Sequence, residues 1–492
     1  MAKRTAVIDI GSNSVRMVIF EKTSRFAFSL LHEAKSRVRI SEGSYRHDGE
    51  LQPAAIERAL AALEEFVGIS RAYKVRKLLC VATSAVRDAP NRSEFLRRVR
   101  RHVGIDIRVI DGTKEAYLGG VAAANLLTPL AGRTVDVGGG STECACIDNG
   151  VVTENLSLDL GTVRLKELFF DRGDLEGAVA YIDAQLLKMP LSKEKTVVGI
   201  GGTFRALAQI MLKTRNHPVK KLHGYTFKAK HFYRLGEKIL AAKDNEALGK
   251  LGVKKERYDV IRPGTLILMR FLKQVECETL VCSGVGVREG LYLTDLLRNN
   301  RHRFPANFNP SLRCLLDRHN IEPRFPAQLS ALSNRLFDLL HRQLRLEPSL
   351  RPLLATAAKL AKIGASVHFY SYHKNSQYLV ESGLEYGYTH REIMTVAALV
   401  RFHKSRRVSK RFYKHYETVL PPLKTLNRLT LVLSIADALL AHRPSRRDFT
   451  LRLEEDTLVV TPQEGHKLYL AREQLSHLDD VLAIRFEIPP HG

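Results

Sequence analysis

Two short turns of glycine, serine and asparagine constrain the fold of this chain more than any other feature. Residues 9–14 (Asp-Ile-Gly-Ser-Asn-Ser) join two β-rich runs, and residues 136–141 (Asp-Val-Gly-Gly-Gly-Ser) do the same about one domain length later. Such turns present successive backbone N–H groups to one point, and glycine lets an anion approach them closely. Either turn alone is equally consistent with a plain hairpin. The pair predicts two related lobes, produced by a duplication, that face each other.

The composition predicts a folded protein that attracts polyanions. The chain has 492 residues, with 77 Lys and Arg against 52 Asp and Glu, a net charge of +25 and 45% hydrophobic residues. The sequence lacks a run of about 18 uncharged apolar residues, so we expect no membrane span. Its six cysteines show neither zinc-ligand spacing nor a disulfide framework, which favours a cytoplasmic location.

Strand and helix signals divide the chain into four predicted domains. Both signals alternate in the first 300 residues, and the stretch 301–310 interrupts every periodicity, as a linker does. Helical spacing of apolar residues follows at 352–366, 373–382, 389–402 and 424–441, and β-rich runs follow at 450–453, 457–460, 467–469 and 481–488. We therefore predict domains at 1–130, 131–300, 311–445 and 446–492.

The paired turns supply candidate phosphate-binding residues. They are Gly11, Ser12, Asn13 and Ser14 in the first turn, and Gly138, Gly139, Gly140, Ser141 and Thr142 in the second. A third glycine-rich turn, at 199–203, follows a short apolar strand and opens a helix, which strengthens the set. Asp9 and Asp136 end the strands before the two turns, where they could hold Mg²⁺ through water beside the phosphates.

Two glutamates are candidates for the chemistry, and each has a structural alternative. Glu143 follows the second turn directly, where a carboxylate would repel phosphate unless it meets a metal ion or orients a water. An exposed strand glutamate is the simpler interpretation. Glu115 lies in the first turn of a predicted helix, where the helix dipole alone favours a carboxylate. Arg87 could clamp phosphate through its planar guanidinium or simply pair with Asp88.

These motifs occur in an order that resembles a known family. Segments 7–14, 82–91, 115–116, 135–143, 158–165 and 283–290 resemble those of the exopolyphosphatase / guanosine pentaphosphate phosphohydrolase family, within the actin-like ATPase superfamily. The resemblance covers roughly residues 5–300. It implies an α/β protein with two ribonuclease-H-like (actin-like) lobes, followed by an all-α HD-like domain and a small α+β C-terminal domain.

The resemblance also implies an activity and the residues that perform it. Hydrolysis assisted by Mg²⁺ (or Mn²⁺) would release orthophosphate from the end of inorganic polyphosphate, with conversion of pppGpp to ppGpp as a further candidate reaction. Glu115 matches the carboxylate that activates water, and Glu143 a second catalytic carboxylate that also binds the metal. Asp136 matches a metal or water-positioning residue, and Arg87 a phosphate clamp. The family often has two adjacent acids at the first of these positions, whereas here Lys114 precedes the glutamate. The expected assembly is a homodimer.

The helical region resembles the family's HD-like domain without its metal site. The metal-binding version carries an adjacent His-Asp pair in a Leu-His-Asp-Ile-Gly stretch, whereas residues 360–364 here are Leu-Ala-Lys-Ile-Gly. His373 and Asp437 remain at positions that look equivalent, but two ligands alone make a poor site. We therefore predict no metal-dependent phosphohydrolase chemistry in this domain.

A basic stretch in the helical region is a candidate outer hold for a phosphate polymer. Between residues 401 and 415 the chain has seven cations and no acid, interleaved with Phe402, Phe412 and Tyr413. This predicted polyphosphate track comprises Arg401, Lys404, Arg406, Arg407, Lys410, Arg411 and Lys414. A solvated basic surface is the simpler interpretation of such a run.

Two other classes of function stay open at this point. An actin-like kinase could use the same turns to transfer phosphate from ATP to a small acceptor, although no acceptor signature is evident. A non-catalytic protein that binds nucleic acid through its positive charge is the other class, although neither a zinc finger nor an RNA-binding motif occurs in the sequence.

Overall fold

The computed structural model describes residues 3–128, 131–190, 193–319, 322, 324–476 and 482–487. The chain divides into two compact units, Met1–Pro310 and Ser311–Gly492. Within the described ranges, no helix combines the length and the apolar character needed to cross a membrane.

The first unit is a mixed α/β structure. Its strands are β1 (Arg4–Ile10), β2 (Val15–Lys22), β3 (Phe28–Ser36), β4 (Lys77–Ala82), β5 (Arg108–Val109), β6 (Gly132–Val137), β7 (Thr142–Asp148), β8 (Val151–Leu158), β9 (Thr196–Ile200), β10 (Thr226–Lys228) and β11 (Thr279–Cys282). Its helices are α1 (Pro53–Ala72), α2 (Ser84–Arg87), α3 (Arg92–His102), α4 (Gly112–Leu126), α5 (Thr162–Leu168), α6 (Leu175–Leu186), α7 (Gly201–Thr214), α8 (Ala229–Leu240), α9 (Asn245–Lys250), α10 (Ile261–Gln274) and α11 (Val287–Leu296).

The strands form two sheets that share one connectivity. The first sheet has the order β3-β2-β1-β4-β5, and the second has the order β10-β11-β9-β6-β7-β8. In the first, β1 pairs antiparallel with β2 and parallel with β4; in the second, β6 pairs antiparallel with β7 and parallel with β9. This repetition confirms the mixed α/β class and the pair of ribonuclease-H-like sheets that the repeated turn predicts.

The two predicted hairpin turns have the same internal hydrogen bond. The Gly11 N–H donates to the Ser14 carbonyl (3.2 Å), and the Gly138 N–H donates to the Ser141 carbonyl (2.9 Å). Both turns lie at the carboxyl ends of the central strands β1 and β6. Apolar side chains of β1 and of the apolar stripe of α1, which includes Leu60, pack in one core. This core gives the first turn a rigid base.

Helices α4 and α11 pack against each other at a glycine. A Cβ built on Gly290 of α11 overlaps the carbonyl oxygen of Leu118 in α4, so only glycine allows this close approach. Each helix carries residues of the cleft described below, Glu115 on α4 and Arg288 on α11. The spacing of these two helices therefore sets the positions of both side chains.

Replacing Gly290 with alanine is expected to separate α4 from α11. We expect the free energy of unfolding to fall by about 1–3 kcal/mol, because the added methyl group meets backbone and not a flexible side chain. Chemical denaturation measures this change. Gly68→Ala in α1 is the matched control, because an added Cβ there has no neighbour within 4 Å, and we expect it to be neutral or mildly stabilising. Equal stability of the two variants would contradict the prediction.

The second unit is mostly helical. It contains α12 (Pro310–His319), α13 (Phe325–Leu340), α14 (Arg351–Leu360), α15 (Tyr372–Gly383), α16 (His390–Phe402), α17 (Lys410–Tyr416), α18 (Leu423–Leu439) and α19 (Tyr469–Leu475), with strands β12 (Phe449–Glu454), β13 (Thr457–Pro462) and β14 (Ala483–Phe486). The four predicted helical segments coincide with α14, α15, α16 and α18, and the strands form one sheet in the order β12-β13-β14.

One predicted strand of this unit is wrong. Residues 467–469 form no strand, because α19 begins at Tyr469. The run is too short for its β-rich composition to decide its structure. The predicted strand 481–488 overlaps β14, and its terminal residues Val481 and Ile488 lie outside the described residues.

Candidate functional site

The three glycine-rich turns meet in one cleft of the first unit. Its lining includes residues of the first turn, the second turn and the N-terminal turn of α7. Among the described residues, no group accepts a hydrogen bond from the backbone N–H of residues 12, 13, 139 or 140. These N–H groups, together with the N-terminus of α7, which lacks a side-chain cap, can therefore bind an anion in the cleft.

The first two turns contact each other closely, which explains their small residues. A Cβ on Gly139 would lie 2.6 Å from the Cβ of Ser12, and a Cβ on Gly140 would lie 2.7 Å from the Ser84 hydroxyl. The hydroxyl oxygens of Ser12 and Ser84 are 3.2 Å apart. Larger side chains would fill the space between the turns.

Six acids line the cleft, and four of them are the candidates from the sequence, namely Asp9, Glu115, Asp136 and Glu143. The other two are Glu256 and Glu289. Burial raises the pKa of Glu143 to about 8, even though the Ser157 hydroxyl donates to its Oε1 at 2.9 Å. Burial, followed by the negative charge of Glu143, raises the pKa of Glu115 well above its usual value. Two acids with raised pKa values in one cleft mark a candidate catalytic pair.

The two aspartates lie near the carboxyl ends of β1 and β6. Burial raises the pKa of Asp136 to about 6, although the Arg205 guanidinium opposes this shift. Burial also raises the pKa of Asp9, against the opposing charge of Arg288. Gly201, with φ +80°, lies so close to the Asp136 carboxylate that a Cβ would overlap its Oδ1. The third turn therefore needs glycine at this position.

Arg87 contacts Glu115 from outside the cleft lining. Its Nη1 lies 3.5 Å from Glu115 Oε2, and its Nε lies 3.1 Å from Asp88 Oδ1, so the Asp88 pair considered from the sequence is present and Glu115 is a further partner. The Lys114 ammonium stacks over the Tyr117 ring, 4.6 Å from its centroid.

Three predicted phosphate-binding residues are absent from the cleft lining, namely Arg87, Gly140 and Thr142. The Thr142 side chain is fully buried, and its hydroxyl donates to the Leu160 carbonyl at 2.6 Å. Gly140 faces the Ser84 and Tyr45 hydroxyls. The structure brings the other turn residues to the cleft, namely Gly11, Ser12, Asn13, Ser14, Gly138, Gly139 and Ser141.

Six cations of the cleft were given no role in the sequence analysis. They are Arg16, Lys35, Arg37, Arg205, Arg257 and Arg288. Burial, followed by repulsion from neighbouring arginines, lowers the pKa of Lys35 to about 8. The strand register of the first hairpin could have identified one of them, because Arg16 on β2 pairs directly opposite Asp9 on β1.

The cleft suits a metal ion that the substrate helps to hold. No cluster of three or more His, Cys, Asp or Glu residues among those described could hold an ion by itself. The four candidate carboxylates offer oxygen ligands only, and Mg²⁺ typically takes one or two carboxylates together with water and phosphate oxygens. The donor set is therefore compatible with a divalent cation bound together with phosphate.

Comparison with known proteins identifies the family. The sequence profile of the Ppx/GppA phosphatase family matches residues 18–299, and that of Ppx/GppA phosphatase domain III matches residues 310–479. The chain belongs to the Ppx/GppA phosphatase family. It is therefore a hydrolase, and phosphatases of this family generally depend on a divalent metal ion. The resemblance inferred from the ordered motifs is confirmed.

Relatives of the Ppx/GppA family match along most of the chain. The guanosine-5'-triphosphate,3'-diphosphate pyrophosphatase of Vibrio cholerae serotype O1 is 27% identical over 93% of this chain and 91% of its own length, and that of Vibrio campbellii is 27% identical over 95% and 91%. The Aquifex aeolicus family member is 30% identical, with a TM-score of 0.53 over 61% of this chain and 99% of its own. An exopolyphosphatase from Cytophaga hutchinsonii is 26% identical, with a TM-score of 0.55 over 60% and 98%.

The HD-like position in the second unit contains an ammonium group. The Lys362 Nζ donates to Asp437 Oδ2 at 2.8 Å and to the Tyr372 hydroxyl at 2.9 Å. His403 Nε2 lies 3.7 Å from the same carboxylate oxygen, and burial lowers the pKa of this histidine to about 4. A neutral imidazole and a lysine ammonium thus surround Asp437. The predicted absence of metal-dependent chemistry here stays a prediction.

Replacing Lys362 with methionine is expected to leave Asp437 without its main partner. Both side chains are about one-fifth exposed, so we expect a moderate loss of about 1–3 kcal/mol in the free energy of unfolding. Urea denaturation of the variant measures the loss. Lys374→Met, at an exposed position of α15, removes the same charge and should change stability little. If both variants were equally stable, the buried pair would contribute nothing.

The predicted polyphosphate track lies on the second unit, at the end of α16, in α17 and in the segment between them. Its aromatic residues pack together, with 5.1 Å between the ring centroids of Phe402 and Phe412. The Lys404 ammonium lies 5.1 Å from the Tyr372 ring centroid. Most of its cations are exposed and can meet a polyanion in solution.

Proposed function

We propose that the chain hydrolyses the terminal phosphoanhydride of inorganic polyphosphate and of pppGpp, and releases orthophosphate. One observation carries the proposal: Glu115 and Glu143, both with raised pKa values, face the unpaired N–H groups of the two turns across one cleft. The names of the relatives support both substrates, since the Vibrio proteins are guanosine-5'-triphosphate,3'-diphosphate pyrophosphatases and the Cytophaga protein is an exopolyphosphatase. Both substrates end in the same anhydride.

The proposed roles follow from the chemistry of phosphoryl transfer, which needs positioning and neutralisation of charge more than covalent catalysis. The turn N–H groups bind the oxygens of the terminal phosphate, and the cleft arginines neutralise the phosphates that follow it. Glu115 in its ionised form accepts a proton from the attacking water, and its raised pKa makes that carboxylate a stronger base than an ordinary glutamate. Arg87, 3.5 Å away, holds that carboxylate in position.

We assign Asp9, Asp136 and Glu143 as the residues that hold Mg²⁺ or Mn²⁺. A divalent cation supplies Lewis-acid neutralisation of the phosphate charge when it is bound. The raised pKa values of these acids favour their neutral forms in the free protein, and a cation would favour their ionised forms. Titration of the protein with Mg²⁺ and Mn²⁺, with and without imidodiphosphate, tests whether phosphate improves metal binding.

The polyphosphate track is proposed as a second binding site for long polyphosphate chains. Its support is the charge of seven cations without an acid between residues 401 and 415. Counterion release makes such binding fall steeply with salt. The track should therefore affect the KM for long polyphosphate and leave the KM for pppGpp unchanged. Reversal of Lys410 and Arg411 to glutamate tests this difference.

Phosphate release from long polyphosphate and from pppGpp, measured side by side with Mg²⁺ and with a chelator, tests the proposed function. Release from at least one substrate, lost on chelation, is the expected result. ADP formation that depends on an added acceptor would favour the kinase instead. Tight RNA binding with no release from either substrate would favour a nucleic-acid-binding protein.

We also propose a homodimer. Its support is a group of exposed apolar side chains in the second unit: Val367, Phe369, Tyr370 and Tyr378 are 62–81% exposed. Exposed apolar clusters of this kind commonly mark interfaces. Light scattering on the full chain distinguishes a dimer from a monomer.

A further inference from the structure

A second cavity lies at the opposite end of the first sheet from the cleft. Its lining includes Arg4 at the start of β1 and Lys77 at the start of β4, whereas the carboxyl ends of both strands lead into the cleft. Its volume of about 490 Å³ is typical of a site for a small ligand. At about 3.3 Å per residue, β1 separates the two sites by roughly 20 Å. One triphosphate therefore cannot occupy both.

The lining of this cavity is strongly basic. Its cations are Lys3, Arg4, Lys22, Arg25, Arg76, Lys77 and Arg298, and its one acid is Asp295. Seven positive charges less one negative charge leave +6 on the lining, and Glu21, which pairs with Arg4 at 2.9 Å, reduces this to +5. This excess is concentrated on a concave surface, which distinguishes it from cations scattered over a convex face.

Several of these cations are held in place by the protein. Arg4 Nη1 donates to the Tyr73 carbonyl at 2.9 Å, and Arg298 Nη1 donates to the Asp295 carbonyl at 2.9 Å. The Asp295 carboxylate lies 2.5 Å from the Lys77 ammonium. Arg4 also pairs with Glu21 at 2.9 Å, so these cations are fixed in place but partly neutralised, and they lose little freedom when an anion binds.

Three other cations of the lining are not neutralised. Among the described residues, no carboxylate lies within ion-pair distance of Lys3, Lys22 or Arg25. The Arg25 guanidinium packs on the Phe26 ring, 5.0 Å from its centroid, which orients it at the cavity edge. An anion that enters the cavity thus meets cations that have no other partner.

We propose that this cavity binds a condensed phosphate group, with three or more consecutive phosphates, carried by a nucleotide or by an inorganic chain. An anion with several charges matches a lining of about +5, whereas one orthophosphate would meet fewer of its cations. The site is separate from the cleft, and its occupation does not depend on hydrolysis there.

Calorimetric titration of the full chain with imidotriphosphate tests the proposal, because its P–N–P bridges resist hydrolysis and report binding even if the chain were inactive. We expect the wild-type protein to bind two equivalents, one in the cleft and one in the cavity. The Lys22→Glu/Arg25→Glu variant should lose one equivalent, or bind it at least about tenfold more weakly, and keep the other. The milder Lys22→Gln/Arg25→Gln variant should show a smaller loss at the same site.

Arg234→Glu/Lys238→Glu is the matched control, since it makes the same change in charge at two exposed positions of α8 that line neither site. It should still bind two equivalents. One equivalent in the wild-type protein, or two undiminished equivalents in the cavity variant, would overturn the proposal.

Competition at the cavity then separates the two sources of the ligand. Displacement by guanosine 5′-(β,γ-imido)triphosphate at lower concentration than by imidotetraphosphate indicates a nucleotide, and the reverse order indicates an inorganic chain. Orthophosphate should compete at least about a hundredfold more weakly than either, because it meets fewer of the cations. Equal competition by orthophosphate would overturn the inference of a condensed phosphate.

Discussion

Glu115→Gln is expected to reduce kcat for phosphate release about 10³-fold, with substrate affinity changed only a few-fold. The amide matches the carboxylate in shape but cannot accept the proton that the attacking water must lose. The turn N–H groups, which bind the phosphate oxygens in our proposal, are unchanged by the substitution. Release from polyphosphate and pppGpp measures kcat, and titration with imidotriphosphate measures affinity.

Glu64→Gln is the matched control for this substitution, because Glu64 is exposed on α1 and far along the chain from every motif of the cleft. It should retain full activity. A Glu115→Gln variant that released phosphate at the wild-type rate would exclude this carboxylate as the base. A variant that lost affinity and turnover equally would indicate that the carboxylate acts in binding.

Local chemistry accounts for the parts of the fold that the sequence predicts well. The Asp-Asn-Gly stretch that ends at Gly150 predicts a tight hairpin of the type that needs positive φ at two residues. Asn149 and Gly150 have φ values of 47° and 72°, and they join β7 to β8. A turn of this kind depends on adjacent residues only, so its structure can be read from a short segment.

Caps are harder to predict because neighbouring residues compete for them. Thr113 is a plausible N-cap for α4, but the cap is Asp111, whose carboxylate accepts from the Lys114 N–H at 2.6 Å. The Thr113 hydroxyl instead donates to that carboxylate. Because Asp111 and not Thr113 is the cap, α4 begins at Gly112, and Glu115 lies within its first turn, as the sequence predicts.

Cleft cations such as Lys35 and Arg257 could not be predicted because they come from separate segments. Lys35 lies at the end of β3, and Arg257 lies more than 200 residues later, yet the charge of Arg257 helps to lower the pKa of Lys35. Neither belongs to a glycine-rich motif. Only tertiary contacts bring them together, whereas the turns and their acids carry local patterns that identify them.

The contribution of Glu143 to the stability of the ligand-free protein should fall as the pH rises from about 4.5 to 8. Burial raises the pKa of Glu143 from its usual value to about 8, so in this range the folded protein binds a proton that the unfolded chain releases. Asp136, with a pKa raised to about 6, contributes in the same direction over a lower range. The folded state therefore becomes less stable relative to the unfolded state as each acid ionises.

Glu143→Gln should remove the larger of these contributions and stabilise the ligand-free protein at pH 8 by about 2–4 kcal/mol, with little gain at pH 5. The same variant should lose most of its phosphate release, because the neutral amide cannot ionise to hold a metal ion. Urea denaturation at the two pH values measures the stability, and Glu64→Gln provides the control with no pH-dependent gain. Equal stabilisation at pH 5 and pH 8 would show that the amide improves packing and that the buried charge has no energetic cost.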